Sequence, residues 1–432
     1  MVTKTAKKEA DVKKKIQKEE SRPGTARPSE GDAVSKELTK GGEEISIIKL
    51  VDNLVESAFH SRASDIHIDP AEKQISVRFR IDGVLHDFYT FPKEIQSEVI
   101  SRVKVLSGLR TDEHQAAQDG RFRLTFSGVN VDVRVSVAPT YYGENTVMRL
   151  LADQAESYTL ETLGFQGRDL DVVKRNITKP YGMLLATGPT GSGKTTTLYT
   201  ILKMLNTKEV SIITIEDPVE YAIGGIEQIQ VNTRTGLTFA SGLRSILRQD
   251  PNIVMVGEIR DEEAAGIAVN AALTGHLLLS TLHTNDAATT LPRLLDMGIE
   301  PFLIASTVNI AIGQRLVRKI CDGCKTKKDI TADELKSLAT VLPVKVLDDY
   351  RTFYYGAGCA QCDHSGYKGR IGIHEVMEID DEVRLALMKG ADASEIKKIA
   401  IKNGMTTMVE DGFRKAIEGV TTIEEILRVI HD

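Results

Sequence analysis

The spacing of apolar residues changes along the first third of the chain. Over 48–59 they recur at intervals of three and four, which predicts an amphipathic helix that ends near His60. Over 75–81 and 131–137 apolar and polar residues alternate strictly, which predicts strands with one buried face. We therefore expect a small mixed α/β domain over 43–152.

Farther along the chain, the pattern changes to short, mostly apolar runs. These runs occupy 183–186, 211–215, 253–256 and 277–282. Their length and composition are typical of strands buried on both faces, and helical spacing separates them, as over 195–205. Strands that alternate with helices predict a largely parallel sheet. Helical spacing returns towards the carboxyl terminus, over 383–388 and 394–401.

Composition sets the remaining boundaries. Residues 1–42 are rich in Lys, Glu, Ser, Gly and Pro and hold few large apolar side chains, so we expect a disordered charged tail there. The whole chain of 432 residues is too long for one core. The expected segments are the tail over 1–42, the mixed α/β domain over 43–152, a sheet-based core over 153–315, a cysteine-bearing subdomain over 316–378 and a helical part over 379–432.

Charge and hydropathy argue against several classes of protein. The formal net charge of -6 at pH 7 argues against a constitutive nucleic-acid binder. The first residues contain no apolar core like that of a signal peptide, and the most apolar later stretch, 301–312, is short and interrupted by polar residues. We therefore expect a cytoplasmic protein that associates with a membrane only through a partner.

The most informative motif follows the first apolar run. Residues 188–195 match the phosphate-loop pattern G-x-x-x-x-G-K-S/T, between a predicted strand and a predicted helix. Glycines let backbone N–H groups point inward, Lys194 would reach the β- and γ-phosphates, and the Thr195 hydroxyl would bind Mg²⁺. The alternative is a glycine-rich turn without a ligand. The expected nucleotide-binding residues are Gly188, Pro189, Thr190, Gly191, Ser192, Gly193, Lys194, Thr195 and Thr196.

Hydrolysis of a bound nucleotide requires acidic groups near the γ-phosphate. Glu216 and Asp217 follow the second apolar run, and Glu258 follows the third, where Gly257 replaces the usual metal-facing aspartate. One of Glu216 and Glu258 would hold Mg²⁺ through water and the other would polarise the attacking water; the sequence is compatible with either assignment. The alternative is that they are ordinary polar strand ends.

Histidines and arginines complete the candidate set. His276 and His283 bracket the run 277–282 and would report the γ-phosphate to the next element, unless they are packing residues. Arginines could neutralise charge on the transferring phosphoryl group, although each could instead form a surface ion pair. They are Arg134 and Arg149 in the first domain, and Arg244 and Arg248, which are predicted to share a helix face before the third apolar run.

All cysteines of the chain fall in two C-x-x-C pairs. The pairs are Cys321 with Cys324 and Cys359 with Cys362. Paired thiolates at this spacing make a tetrahedral cage for Zn²⁺, and cytosolic proteins rarely keep structural disulfides. We expect a structural zinc site, with redox-active or inert thiols as the alternatives. Such a site would hold a small subdomain together.

Taken together, the motifs resemble one protein family. The main ones are 188–195, 214–221, 248–261 and 274–285, and further matches lie at 63–70, 78–83, 118–120 and 366–372. In this order they resemble the secretion ATPase family of type II secretion and type IV pilus assembly, whose members are known as GspE and PilB. The resemblance extends from about residue 45 to the end of the chain.

The resemblance implies a homo-hexameric ring whose subunits have a PAS-like domain followed by a RecA-like ATPase domain, with ATP bound between them. Arg134 and Arg149 stand where arginines of that family touch the phosphates, and Arg244 and Arg248 match its arginine pair before the Walker B strand. The implied function is a cytoplasmic Mg²⁺-ATPase motor that drives pilin or pseudopilin assembly through an inner-membrane platform protein. A pilus retraction motor and a non-hydrolysing nucleotide-gated ring are the alternatives, and the acidic composition gives a DNA translocase little support.

Overall fold

The computed structural model describes residues 32–40, 44–126, 128–152, 158–329 and 352–431. These residues fall into two compact units. The first contains the described residues up to Ala152 together with Ile320–Thr326 and Tyr355–Lys368, and the second contains the rest. Residues 1–31 of the predicted charged tail, and 330–351 of the predicted cysteine-bearing subdomain, lie outside the described residues.

An antiparallel sheet forms the centre of the first unit. Its strands are β1 Asp65–Pro70, β2 Gln74–Ile81, β3 Val84–Pro92, β4 Gln118–Phe126, β5 Val129–Thr140 and β6 Gly143–Ala152, and its helices are α1 Ala33–Leu38, α2 Ile47–His60 and α3 Gln96–Leu106. The strand order is β3-β2-β1-β6-β5-β4. The apolar sides of helices and strands meet in one core, so the predicted helix and the alternating strands are confirmed.

Helix α1 lies inside the segment over 1–42 that composition assigned to a disordered charged tail, so residues 33–38 are helical where a tail was expected. Val34 is fully buried in the core of the first unit. The side chain of Asp32 accepts hydrogen bonds from the Ser35 N–H at 2.6 Å and from the Tyr89 hydroxyl at 2.7 Å. A helix cap and one buried apolar side chain are enough to fix a short helix, and average composition does not reveal them.

A larger sheet forms the centre of the second unit. Its strands are β7 Gly182–Thr187, β8 Ile212–Glu216, β9 Glu227–Gln230, β10 Ile253–Val256, β11 Leu277–Leu282, β12 Val308–Ile320 and β15 Tyr367–Glu378, while β13 Lys325–Asp329 and β14 Thr352–Gly356 form a separate two-stranded sheet. The helices are α4 Gly167–Ile177, α5 Lys194–Leu205, α6 Phe239–Ile246, α7 Glu262–Leu273, α8 Thr290–Asp296, α9 Pro301–Thr307, α10 Asp381–Met388, α11 Ala393–Lys402, α12 Met408–Ile417 and α13 Ile423–His431.

The strand order of this sheet is β15-β12-β7-β11-β10-β8-β9, and all pairs from β12 to β9 are parallel. Every residue of β7, β8, β10 and β11 is buried, because helices cover both faces. The predicted strands and the parallel sheet are confirmed. None of the helices in the described ranges combines the length and the apolar character that crossing a bilayer requires.

Strand β12 continues beyond the boundary expected after residue 315. Val317 and Ile320 are buried, and the strand is registered against β7 from Val308 to Gly313. The sheet therefore includes residues that the sequence assigned to the cysteine-bearing subdomain.

Buried charges connect β15, α4 and α12 in this unit. Asp411 accepts a hydrogen bond from the Lys415 ammonium at 2.5 Å and from the His374 backbone N–H at 2.9 Å. Asp169, on α4, is also buried. Burial, and then the negative charge of Asp411, raise the pKa of Asp169 to about 7.

We expect Asp169→Asn to change how stability depends on pH. In the unfolded chain this carboxyl ionises near its ordinary pKa of 3.8, whereas in the folded chain it ionises near 7, so the free energy of unfolding of the wild type falls as pH rises through that window. The variant lacks this loss. The free energy of unfolding is measured by urea denaturation at pH 5 and at pH 8. The value for the variant minus that for the wild type should be about 2 kcal/mol larger at pH 8 than at pH 5.

The matched control for this prediction is Asp171→Asn, because Asp171 is exposed on the same helix. It should follow the wild type at both pH values. An identical pH dependence for Asp169→Asn and the wild type would show that Asp169 ionises normally in the folded protein.

Candidate functional site

Several candidate residues lie where strands of the parallel sheet end together, at what we call the carboxyl edge. Strand β7 leads into residues 188–195, the phosphate loop, and β8 ends on Glu216. Glu258 follows β10 and His283 follows β11. Because these strands are parallel and paired in register, their carboxyl ends bring the four features to one edge of the sheet.

Tight backbone packing determines the shape of the phosphate loop. Gly188 has φ of 143°, and a Cβ there would lie 2.4 Å from the backbone carbonyl oxygen of Gln314. Gly193 adopts a left-handed conformation with φ of 89° immediately before α5. The ammonium of Lys194 donates to the carbonyl oxygens of Gly188 at 2.8 Å and Pro189 at 3.0 Å. Lys194 therefore holds the phosphate loop together through hydrogen bonds within the loop.

Gln314, on β12, supports the loop from the neighbouring strand. Its amide nitrogen donates to the carbonyl oxygen of Ser192 at 2.7 Å, and its amide oxygen accepts from the Thr197 hydroxyl at 2.9 Å. Sequence reasoning missed this residue because no motif includes it. The available signal is a buried glutamine directly after an apolar strand segment, which must find hydrogen-bond partners.

The phosphate loop fits an anionic ligand. Ser192 Oγ is buried and has no hydrogen-bond partner among the residues that the structure describes. Thr195 and Thr196 are only partly buried at the first turn of α5, whose amino end contributes partial positive charge. These residues could hold the phosphates of a nucleotide, with the Thr195 hydroxyl available to Mg²⁺.

Glu216 is enclosed in a hydrogen-bond network of the protein. Its carboxylate accepts from the Tyr199 hydroxyl, from the Thr214 hydroxyl at 2.6 Å and from the Gln228 amide at 3.2 Å. Burial is the main cause of a raised pKa of Glu216, and these hydrogen bonds oppose it. Both carboxylate oxygens are engaged with side chains of α5, β8 and β9.

Glu258 has a different environment, although it also follows a buried strand. One carboxylate oxygen lies 3.1 Å from His283 Nε2, and the other lies 2.5 Å from the Arg260 guanidinium. Burial lowers the pKa of Lys194, and the charge of Glu258 opposes that shift. Glu258 is thus electrostatically coupled to the phosphate loop, and the structure brings it together with His283.

His276 is separated from this group. It precedes β11, whereas His283 follows the same six-residue strand, so the two histidines lie about 20 Å apart along the strand. His276 Nδ1 lies 3.0 Å from the carbonyl oxygen of Ala271. The structure therefore places His276 at the opposite edge of the sheet and does not support the expectation that it reads the γ-phosphate. Asp217 is exposed, next to Glu216.

The two arginines before β10 do not share a helix face as predicted. Arg244 lies on α6 and forms an ion pair with Glu263 at 2.6 Å, but the helix ends at Ile246 and Arg248 lies beyond it. Asp250 has φ of 51° and precedes a proline, so the helix could not extend past residue 249. Both arginines are exposed.

Arg134 and Arg149 lie in the first unit. They stand directly opposite each other on β5 and β6, and therefore project from the same face of the antiparallel sheet. Arg149 Nε donates to the Asp65 carboxylate at 2.9 Å, across from it on β1.

The cysteines form one compact cluster. The four sulfur atoms of Cys321, Cys324, Cys359 and Cys362 lie within 4.8 Å of one another, and none is in a disulfide. Three of the pairs are separated by 3.7 to 3.8 Å. A tetrahedron of thiolates at about 2.3 Å from Zn²⁺ has edges of about 3.8 Å, so the cluster fits a tetrahedral metal ion.

Comparison with known proteins agrees with this geometry. The family model described as type II/IV secretion system protein matches residues 41–428. The chain belongs to this family. The family predicted from the motifs is therefore confirmed.

Curated relatives in the secretion family share almost half of their aligned residues with this chain. A type IV pilus assembly ATPase PilB of Thermus thermophilus is 48% identical over 385 residues, which cover 89% of this chain and 43% of that protein. The PilB of Myxococcus xanthus is 46% identical over 90% of this chain and 69% of its own length. Type II secretion system protein E of Xanthomonas campestris is 46% identical over 94% of this chain and 71% of its own length. The chain thus spans less than half of the Thermus protein.

Solved structures agree with the fold. The Legionella pneumophila ATPase DotB superposes with a TM-score of 0.64 at 22% identity, covering 88% of this chain and 95% of that one. The pilus retraction motor PilT with bound ADP gives a TM-score of 0.59 at 24% identity, covering 87% and 95%. The predicted fold class, a mixed α/β domain with a RecA-like core, is confirmed for this member of the secretion family.

We expect Glu216→Ala to destabilise the second unit, because it leaves the buried Tyr199 and Thr214 hydroxyls without their acceptor, whereas the Gln228 amide keeps the Tyr221 carbonyl oxygen. Each buried polar group left unpaired costs about 1–3 kcal/mol. The variant should lose about 2–4 kcal/mol in urea denaturation. Asp217→Ala, at the adjacent exposed residue, is the control and should change stability little. Equal stability of both variants would show that the Glu216 network contributes nothing to folding.

Proposed function

We propose that this protein is a Mg²⁺-dependent ATPase that powers pilin or pseudopilin assembly, in type IV pilus biogenesis or type II secretion. One observation carries the proposal: a phosphate loop braced by Lys194 and Gln314 lies at the same sheet edge as Glu258 and His283. That edge is where ligands of parallel α/β sheets bind. The names of the relatives, pilus assembly ATPase and type II secretion protein, support the same conclusion.

The phosphate loop would bind the nucleotide. Bound ATP with Mg²⁺ supplies the phosphoryl group that water attacks. Lys194 would exchange the carbonyl oxygens of Gly188 and Pro189 for phosphate oxygens, Ser192 would donate its unpaired hydroxyl, and Thr195 would hold the metal ion. Backbone N–H groups and the amino end of α5 would complete the anion site.

Glu258 is the better candidate for orienting the attacking water. It is partly accessible and its partners His283 and Arg260 are exposed, whereas both oxygens of Glu216 are engaged by buried donors. We therefore assign water orientation to Glu258 and a structural role to Glu216, with Asp217 free in solvent to act on the metal ion's water shell. His283 would hold Glu258 in place.

The arginines would complete the site in an assembled ring. We propose that subunits form a homo-hexamer in which exposed Arg244 and Arg248 and the sheet-face Arg134 and Arg149 supply positive charge to phosphates, as the family resemblance implies. The proposed partner is an inner-membrane platform protein, and the proposed location is the cytoplasm, peripheral to that membrane.

The proposal predicts that Glu258→Gln abolishes turnover without abolishing binding. Phosphate release should fall by at least about 100-fold, because the amide cannot accept the proton that carboxylate-assisted attack requires. Binding of a fluorescent ATP analogue should change only a few-fold. Lys194→Ala should lose that binding.

Glu262→Gln is the matched control, since Glu262 is exposed at the start of α7, and it should release phosphate at the wild-type rate. Equal rates for Glu258→Gln and the wild type would remove Glu258 from the reaction. A wild type that binds ATP but releases no phosphate would instead indicate a nucleotide-gated ring.

For the cysteine cluster we propose structural Zn²⁺, held by all four thiolates. The sulfur separations fit a closed four-thiolate site. A closed shell leaves no position for substrate, so the ion would stabilise the surrounding segments and take no part in hydrolysis.

We expect the wild type to carry about one zinc ion per chain, and Cys324→Ser to lose most of it, because three thiolates bind zinc more weakly than four. Metal content is measured by mass spectrometry after dialysis. Asp322→Ala, between the first two cysteines, should keep the zinc. Undiminished zinc in Cys324→Ser would refute the assignment.

A further inference from the structure

The loop between β11 and α8, residues 283–289, begins with His283 and is held to the phosphate-loop strand at its start. The Thr284 N–H donates to the Thr187 hydroxyl at 3.0 Å, and that hydroxyl also reaches the Thr284 carbonyl oxygen at 3.0 Å. Thr187 is the last residue of β7, directly before the phosphate loop. The position of the β11–α8 loop is thus tied to the nucleotide site.

The other end of this loop is held by a buried carboxylate from β15. Glu375 accepts the Ala287 N–H at 2.7 Å and lies 3.4 Å from the Met408 N–H, at the start of α12. A Cβ on Gly313 would come within 2.9 Å of the Glu375 side chain and 3.0 Å of the Ala287 nitrogen. The glycine therefore leaves just enough room for this contact.

An ammonium group from α11 completes the attachment. Lys397 Nζ lies 2.8 Å from the Asp286 carboxylate and 3.8 Å from that of Glu375. Asp286 also accepts the Thr289 N–H at 2.9 Å, within the same loop. The Lys397 side chain is one-third exposed, so its substitution does not create a large buried cavity.

We propose that Lys397 and Glu375 are positioning residues for hydrolysis, which fix the β11–α8 loop so that His283 stays against Glu258. The inference rests on the proposed ATPase function. Side-chain contacts join Glu258 to His283 and Asp286 to Lys397 of α11, and the backbone of the β11–α8 loop links His283 to Asp286. The nucleotide site and the last helices of the chain are thereby coupled through one ion pair.

The test is the turnover of Lys397→Met in the full chain. Misplacing a reacting group by about 1 Å costs on the order of 100-fold in rate, so we expect kcat for ATP to fall at least about tenfold. KM should stay within about twofold, because neither Lys194 nor the loop glycines are touched. Lys397→Arg, which keeps the charge, should recover most of the rate, and Asp286→Asn should lower kcat as Lys397→Met does.

Lys398→Met is the matched control, because Lys398 is exposed at the next position of α11. It should leave kcat unchanged. A double-mutant cycle separates positioning from general destabilisation: in a His283→Ala background, Lys397→Met should have almost no further effect on kcat if it acts through His283.

The inference would be overturned if Lys397→Met kept the wild-type kcat. It would also be overturned if the fold-losses of kcat in Lys397→Met and His283→Ala simply multiplied in the double variant. Either result would leave the proposed ATPase function in place. Absence of turnover in the wild type would remove both. Equal losses of kcat in Lys397→Met and Lys398→Met would also contradict it, since the effect would then belong to the helix surface and not to the ion pair.

Discussion

The parallel, in-register pairing of β7, β11, β10 and β8 is the constraint on which the rest of this structure depends. All residues of these strands are buried, and most are apolar; polar ones such as Thr214 and Ser280 hydrogen-bond within the protein. Polar side chains can reach a ligand only where a strand leaves the sheet. Because the strands are parallel and in register, their carboxyl ends lie side by side. This brings together the phosphate loop, Glu258 and His283.

Much of this arrangement can be predicted from sequence, because the apolar runs that define the strands and the motifs that follow them are local. The residues that sequence reasoning missed share the opposite property. Gln314 contacts Ser192, and Glu375 contacts Ala287, across long separations in the chain. Nothing local marks such residues except a polar side chain in a buried strand. Arg248 was expected on the same helix as Arg244, but α6 ends at Ile246.

Glu216 and Glu258 show why residue type at a strand end does not fix its role. Both are glutamates at the carboxyl edge, and motif reasoning treated them as interchangeable. Glu216 is the last residue inside its strand and turns towards Tyr199, whereas Glu258 is the second residue after β10 and turns towards His283. A shift of one or two positions along the strand decides whether a carboxylate satisfies the core or faces a ligand.

The hydrogen bonds from Lys194 to Gly188 and Pro189 have a thermodynamic consequence for ligand recognition. Two of the three N–H groups of the ammonium already donate to neutral carbonyl oxygens, so an anion that takes the place of those oxygens displaces existing partners. The net gain in binding free energy is then the difference between a charge-assisted hydrogen bond to the anion and the hydrogen bond to a neutral carbonyl oxygen that it replaces. The site would therefore discriminate by charge density: a ligand that offers only carbonyl oxygens would gain nothing over the existing contacts, whereas a polyphosphate would.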